Sequence, residues 1–459
     1  MMSNNMVKDL IKKYNVPGPR YTSYPTVPYW DKKGIAYDLW IESCQKAFQE
    51  SNSSEGISVY IHLPFCESLC TFCGCHKRIT KRHDVEEPYL ETVLREWMLY
   101  IEVFGERPKI KELHLGGGTP TFFSSENLKK LMNGIFELSD VLPNPEFSFE
   151  GHPNHTTKEQ LQTLYDLGFN RNSFGVQDYD LNVQKIINRV QPYETVQKVT
   201  NWSREIGYES ISHDLVYGLP KQNMNSMEQT ILKTQELLPD RIAFYSYAHV
   251  PWIKGVGQRG FDENDLPKDQ EKRSLYEMGK QMFSDLGYVE IGMDHFALKH
   301  DSLYKAVENK TIHRNFMGYS SQKTKLMVGL GMSSISDSWY GFTQNVKTVE
   351  EYQKTVGEGV IPIFRGHHLN EEDLILRKHI LNLMCHFKTN WSEKNQQTPM
   401  LFKGLELMKE LEKDQLLRID KEELIVLEKG KTFIRNICMC FDARMLRNKP
   451  TTAIFSQTI

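Results

Sequence analysis

The chain has 459 residues, 39% of them hydrophobic and 25% charged, with a formal net charge of −3. That balance is ordinary for a folded protein of two or three domains and gives no reason to expect nucleic acid as the main partner. No run reaches the apolar length of a membrane span and the opening MMSNNMVKDLIKKYNVPGPRYTSYPT lacks a signal-type apolar core, so a cytoplasmic location is expected.

From residue 57 to about 250, short β-rich runs alternate with helical stretches. ISVYIHL, KIKELHL, EFSFE, NSFGVQ, ISHDLVYGLP and RIAFYSYAHV read as strands. YLETVLREWMLYIEVF, ENLKKLMNGIFEL, KEQLQTLYDLG and TVQKVTNWSREIG carry apolar residues at three- and four-residue intervals. Gly168 and Gly207 stand where helix C-termini are expected. This alternation predicts an α/β fold with a parallel sheet. The roughly six units are too few for a closed eight-unit barrel, so an open partial (β/α)6 barrel is expected, with its chemistry at the C-terminal strand ends. PFCESLC, GGGTPT, EGHPN, VQ, DLVYGLP and YAHVP all fall at those ends. Further on, NEEDLILRKHILNLMCHF reads as a helix. LLRIDKEELIVLEKGKTFIRNICMCFD reads as strand, turn, strand and helix, a winged-helix-like module whose mixed charge favours a structural lid over nucleic-acid binding.

Four of the eight cysteines lie in CESLCTFCGCHKR, starting at Cys66. In a reducing compartment they are ligands or reactive thiols rather than disulfides. Cys66, Cys70, Cys73 and Cys75 could hold zinc, but four ligands within ten residues are cramped and leave no second loop to pin. Inert packing suits a polar, glycine-containing loop poorly. The third reading is an iron–sulfur cluster on three thiolates, with one iron of four open to a small molecule. Gly116–Pro120 could bring backbone close to such a ligand, or simply form a tight turn. Glu150 could bond a ribose or amino group, or be solvated. Gln177, Arg189 and Asp214, at or beyond strands four and five, are individually ambiguous.

The spacing C-x-x-x-C-x-x-C after a first strand resembles the radical S-adenosylmethionine superfamily. CESLCTFCGCHK, LHLGGGTPT, GFNRNSFGVQDY, INRVQ, DLVYGLPKQ, YAHVP, IGMDHFA, HRNFMGY and IRNICMCFD, with the N-terminal VPGPRYTSYPT, together resemble the oxygen-independent coproporphyrinogen III oxidases (dehydrogenases) over nearly the whole chain. The resemblance implies one [4Fe–4S] cluster on Cys66, Cys70 and Cys73, and two molecules of S-adenosyl-L-methionine. The first would contact Tyr60, Gly117, Glu150 and Ile335. The second would contact Phe72, Gly118, Thr119, Gln177, Arg189, Asp214 and Ala248. Cys75 matches an extra family cysteine outside the ligand set.

The implied reaction is oxidative decarboxylation of two propionate side chains of coproporphyrinogen III to vinyl groups, giving protoporphyrinogen IX in haem and porphyrin biosynthesis. A small reducing protein such as flavodoxin or ferredoxin and a monomeric enzyme are implied with it. The implied fold is a radical S-adenosylmethionine partial barrel over 51–290. A substrate-closing segment and helix would precede it (1–50), and a mainly helical cap with the winged-helix-like module would follow (291–459). Arg20, Arg314 and Arg435 are candidates for gripping the substrate carboxylates, because guanidinium matches carboxylate bidentately. One departure is visible: the family often reads Glu-x-Asp-Pro where this chain has Glu150-Gly151-His152-Pro153. A haem-binding or haem-delivery protein, or a tetrapyrrole-modifying methyltransferase, on the same scaffold are the alternatives.

Overall fold

The computed structural model describes residues 4–31, 34–250, 258, 260–450, 452 and 454–458; Pro251 of the YAHVP segment lies outside them. Ile57–Leu63 (β1), Lys109–Gly117 (β2), Asp140–Gly151 (β3), Arg171–Gln177 (β4), Ser210–Tyr217 (β5) and Arg241–Ser246 (β6) lie side by side, all parallel. Glu86–Phe104 (α1), Ser125–Glu137 (α2), Lys158–Asp166 (α3), Tyr193–Ile206 (α4) and Met224–Leu237 (α5) lie in the connections between them. Local chemistry sets their ends. Ser124 accepts from the Asn127 amide at the start of α2, Thr157 and Gln160 form a capping box on α3, and Gly207 at φ 111° closes α4.

Successive strand residues face opposite ways. Val59, Ile61, Leu113, Leu115, Phe147 and Phe149 enter the main core with Trp97, Leu131 and Leu164 of the helices. The residues between them are largely polar and bond one another side by side on neighbouring strands, as His114 Nδ1 does Ser148 Oγ at 2.7 Å and Ser173 Oγ does Asp214 Oδ1 at 2.7 Å. The apolar core therefore lies outside the sheet, under the helices, while the lumen is polar.

At the N-terminal strand ends that lumen is filled by charge. Glu146 lies between Arg171, which bonds it directly, and Arg241, 3.8 Å away. Arg241 Nε reaches Asp301 at 2.6 Å, and Ser58 Oγ donates to Glu112 at 2.7 Å. Burial alone would raise the Glu146 carboxyl, but the two arginines hold it down at about 2.

The sheet continues past the six units. Val289–Gly292 (β7) and His295–Ala297 (β8) extend the β6 edge antiparallel. On the other edge Met327–Leu330 (β9) runs parallel to β1, and Ile335–Asp337 (β10), Gly341–Asn345 (β11) and Ile363–His368 (β12) follow antiparallel, making twelve strands. The expected 290/291 boundary is thus not an edge of the sheet. These strands span three to six residues, too short to display an alternating pattern.

Asp269–Asp285 (α6) covers the β5–β6 side. Glu371–His386 (α7) belongs to a second core, with a three-stranded sheet of Lys388–Asn390, Glu423–Val426 and Leu417–Ile419. Leu10, Tyr21 and Tyr24 are buried in that second core, so the N-terminal segment packs on the C-terminal one. The chain's two end regions also pair with each other: Gly18 N donates to Ser456 O at 3.0 Å and Thr458 N to Val16 O at 2.9 Å.

Candidate active site

The cysteine loop leaves the end of β1. Arg78–Ile79 pairs in parallel with Phe65–Cys66, which folds the loop back on its own stem. Thr71 N bonds Ile187 O at 3.0 Å and Asn188 Nδ2 bonds Leu69 O at 2.8 Å, fixing it against the chain after β4. Cys66, Cys70, Cys73 and Cys75 line one cavity of about 840 Å³ with Phe72, Gly117, Gly118, Thr119, Glu150, Gln177, Arg189 and Asp214. All four thiols are free.

A second cavity, of about 1100 Å³, is lined by Tyr60, Gly117, Glu150 and Ile335, together with His62, Cys75, His114, Tyr245 and Phe316. The two share Cys75, Gly117 and Glu150 as walls. Ala248 lines neither, yet it is held beside Phe72: Gln258 Nε2 donates to Phe72 O at 3.0 Å and to Ala248 O at 3.1 Å. Apart from Ala248, every cluster and cosubstrate candidate of the sequence therefore lines one of these two adjoining spaces.

The glycine run after β2 leaves room where side chains would not fit. A Cβ at Gly118 would stand 2.5 Å from the Pro64 carbonyl carbon, and Gly117 has φ 112°. Gln177 holds φ 68°, a left-handed conformation unusual for a non-glycine residue, and lines the cysteine-bearing cavity. Arg189 Nη2 donates to Gly175 O at 2.6 Å and its Nη1 lies 3.7 Å from Cys70 Sγ, while its Nε is buried without a partner.

The electrostatics differ from thiol to thiol. Burial pushes the Cys66 thiol up to about 11, although Thr119 Oγ1, 3.3 Å away, works against this. A hydrogen bond from the Cys75 thiol, helped by Lys77 and Arg189, outweighs burial and pulls Cys73 down to about 6. Burial raises the Asp214 carboxyl to about 7 against the Ser173 bond, and the Glu150 charge adds to the rise. His152 is depressed by burial and by Arg189; its ring stands 4.7 Å from that of His155, which faces Glu67 at 3.3 Å.

Residues 60–233 match the model of the Radical SAM superfamily. The chain is 37% identical to the oxygen-independent coproporphyrinogen III oxidase of Synechocystis over 461 residues, covering 98% of this chain and 97% of that one. It is 37% identical to the Escherichia coli protein of the same name, covering 98% of each. The chain belongs to the oxygen-independent coproporphyrinogen III oxidases. The solved Escherichia coli coproporphyrinogen III oxidase, described as a radical SAM enzyme, superposes with a TM-score of 0.88 at 34% identity, covering 95% of this chain and 98% of that one. These relatives do not favour the haem-carrier or methyltransferase alternatives.

Membership implies a [4Fe–4S] cluster and S-adenosylmethionine, and the residues fit such a group. The three candidate ligand thiols line one cavity, the glycine cradle leaves room beside them, and the orphaned Arg189 Nε suits an anionic group there. Among the described residues no three His, Cys, Asp or Glu side chains converge as ligands of a single ion. A cuboidal cluster does not ask for that, since each thiolate takes its own iron.

The sequence reading missed His62, His114, Tyr245 and Gln258. His114 was within reach, since it shares a strand face with Gly116. Gln258 was not, because its partners are distant in the chain. The three candidate arginines separate. Arg20 is ion-paired with Asp294. Arg314 Nη2 donates to Arg20 O at 3.1 Å while its Nε and Nη1 are buried without partners. Arg435 is already engaged: Nε bonds Pro19 O and Nη1 bonds Gln457 O, both at 2.8 Å, and Nη2 bonds Gly18 O.

Proposed function

We propose that this chain converts coproporphyrinogen III to protoporphyrinogen IX without oxygen, using one S-adenosylmethionine in each of the two adjoining cavities. Each of two propionates gives up a hydrogen atom, carbon dioxide and one electron in becoming a vinyl group, the electron passing to an external one-electron acceptor. The observation that carries the reading is the shared wall of Cys75, Gly117 and Glu150 between the cavities, which sets two adjoining spaces beside one cysteine loop.

Cys66, Cys70 and Cys73 would hold the cluster. When bound, the cluster and S-adenosylmethionine supply the 5′-deoxyadenosyl radical that abstracts a hydrogen from the propionate β-carbon. The chain's own residues position and seclude. Tyr60, Glu150 and Ile335 line one space, and Phe72, Gln177, Arg189 and Asp214 the other. Asp214, its carboxyl raised by burial to about 7, can donate in its protonated form as well as accept. Arg314 offers two unmatched guanidinium nitrogens to a substrate carboxylate. Trp30 of the N-terminal segment rests edge-on against Phe316, a wall of the second cavity, and helps to keep water out. An external one-electron donor, a flavodoxin- or ferredoxin-like protein, would reduce the cluster, and the enzyme would act as a monomer. Among the described residues no helix is long and apolar enough to cross a membrane.

The test is anaerobic reconstitution with iron and sulfide, then reduction in the presence of S-adenosylmethionine and coproporphyrinogen III. Protoporphyrinogen IX and two methionines per product are expected. Iron-loaded protein that cleaves S-adenosylmethionine yet yields no vinyl product would refute the assignment. Cys70→Ser is expected to lose both the cluster absorbance and turnover.

A further inference from the structure

A third cavity, of about 520 Å³, lies at the seam of the N-terminal segment, β6, α6 and the C-terminal domain. Its walls carry four cations, Arg20, Arg273, Lys431 and Arg435, against two anions, Glu290 and Asp294. Both anions are occupied. Asp294 pairs with Arg20, and Glu290 pairs with Lys280 at 2.5 Å and accepts from Tyr276 Oη at 2.7 Å. Three of the cations are paired as well, Arg20 with Asp294, Arg273 with Glu277 and Lys431 with Glu428 at 2.6 Å. Arg435 has main-chain carbonyls for partners, and Arg273 Nε is buried with none. A buried guanidinium with no acid beside it, as at Arg435, is unfavourable until an anion enters.

The cavity also stands in the right place. Ser246 lines it, while the preceding residue Tyr245 lines the cavity that contains Glu150 and Ile335. Successive strand residues face opposite sides, so the two spaces flank one strand end. Arg20 lines the third cavity, and its charge also acts on Tyr245.

We propose that this third cavity is a carboxylate subsite that holds a propionate the reaction leaves intact. It rests on the function above, since coproporphyrinogen III carries four propionates and only two are converted. Arg273 supplies planar N–H donors and Lys431 a point charge, with Arg20 on the rim toward the reacting group. A carboxylate held far from the reacting carbon is bound alike before and during reaction, so its loss appears in KM rather than kcat.

The test is steady-state turnover of the reconstituted Arg273→Gln/Lys431→Gln enzyme, with iron content and circular dichroism as controls for folding. The expected result is a KM for coproporphyrinogen III raised roughly 10- to 100-fold, with kcat changed less than about threefold. Lys431→Gln alone, at a partly exposed side chain, is expected to give a smaller rise and covers the case in which the double variant does not fold. A porphyrinogen with ethyl groups at the two unconverted positions should bind wild type weakly and the variant no worse. An unchanged KM in the folded double variant overturns the subsite, as does an equal KM rise for the ethyl analogue. Wild type that forms no vinyl product fails the functional reading itself.

Discussion

Glu146 and Glu150 stand four residues apart on the same face of β3, yet they live in different surroundings. Glu146 is fully buried, bonded to Arg171 and near Arg241, with Ser302 and Ser321 donating to it as well. Glu150 is half exposed and has a distant contact with His114 at 3.5 Å. The same contrast holds on neighbouring strands: Arg241 is paired with Asp301 at one end of β6, while Tyr245 faces a cavity at the other. One end of the lumen is internally neutralised and holds the barrel together. The other keeps polar groups waiting for ligands, at some expense in stability.

Removing charge at the two ends should therefore have opposite effects on the apo protein. Glu146→Gln leaves two buried arginines short of a counter-charge and should lower stability by about 3–5 kcal/mol in urea unfolding at pH 7. Its folded carboxyl is depressed to about 2 from 4.5, so its contribution is present above pH 4.5 and is lost as pH falls through about 2. Asp214→Asn should do the reverse. The Asp214 carboxyl is raised from 3.8 to about 7, so wild type is favoured below pH 3.8 and loses that advantage as pH rises through 7. The variant should exceed wild type by a few kcal/mol, at most about 4, at pH 8 and match it near pH 3. A destabilised Asp214→Asn at pH 8 would break the comparison. Ser58→Ala, which removes one donor from Glu112, should have the smallest effect, about 1–2 kcal/mol, and would show how redundant the closed end is.

The first half of the fold was legible because each strand and helix there is long enough to show its own period. ISVYIHL became β1 without a residue's difference, and RNSFGVQ, one residue longer than NSFGVQ, became β4. The sheet strands between 327 and 368 were not legible, since short elements such as Ile335–Asp337 carry no pattern, whereas the strand–turn–strand read in LLRIDKEELIVLEK is present as Leu417–Ile419 and Glu423–Val426. The site was legible where it is local, in the cysteine loop and glycine run. Contacts between distant segments were hidden: Gln258 clasping Phe72 and Ala248, or Arg273 facing Lys431 across a seam. Arg435 shows the limit most clearly. The sequence offers it as a cation for gripping carboxylates, but only geometry tells that its donors meet carbonyls instead of an acid.

The pairing of residues 16–18 with 456–458, fastened by Arg435, bears on how the protein is made. A ribosome releases the cysteine loop early and the tail strand hundreds of residues later. Until that tail is synthesised the N-terminal segment lacks its partner strand and cannot be fastened in place. The order of synthesis thus lets the barrel and its cysteine loop form before the N-terminal segment can be fastened against the C-terminal region.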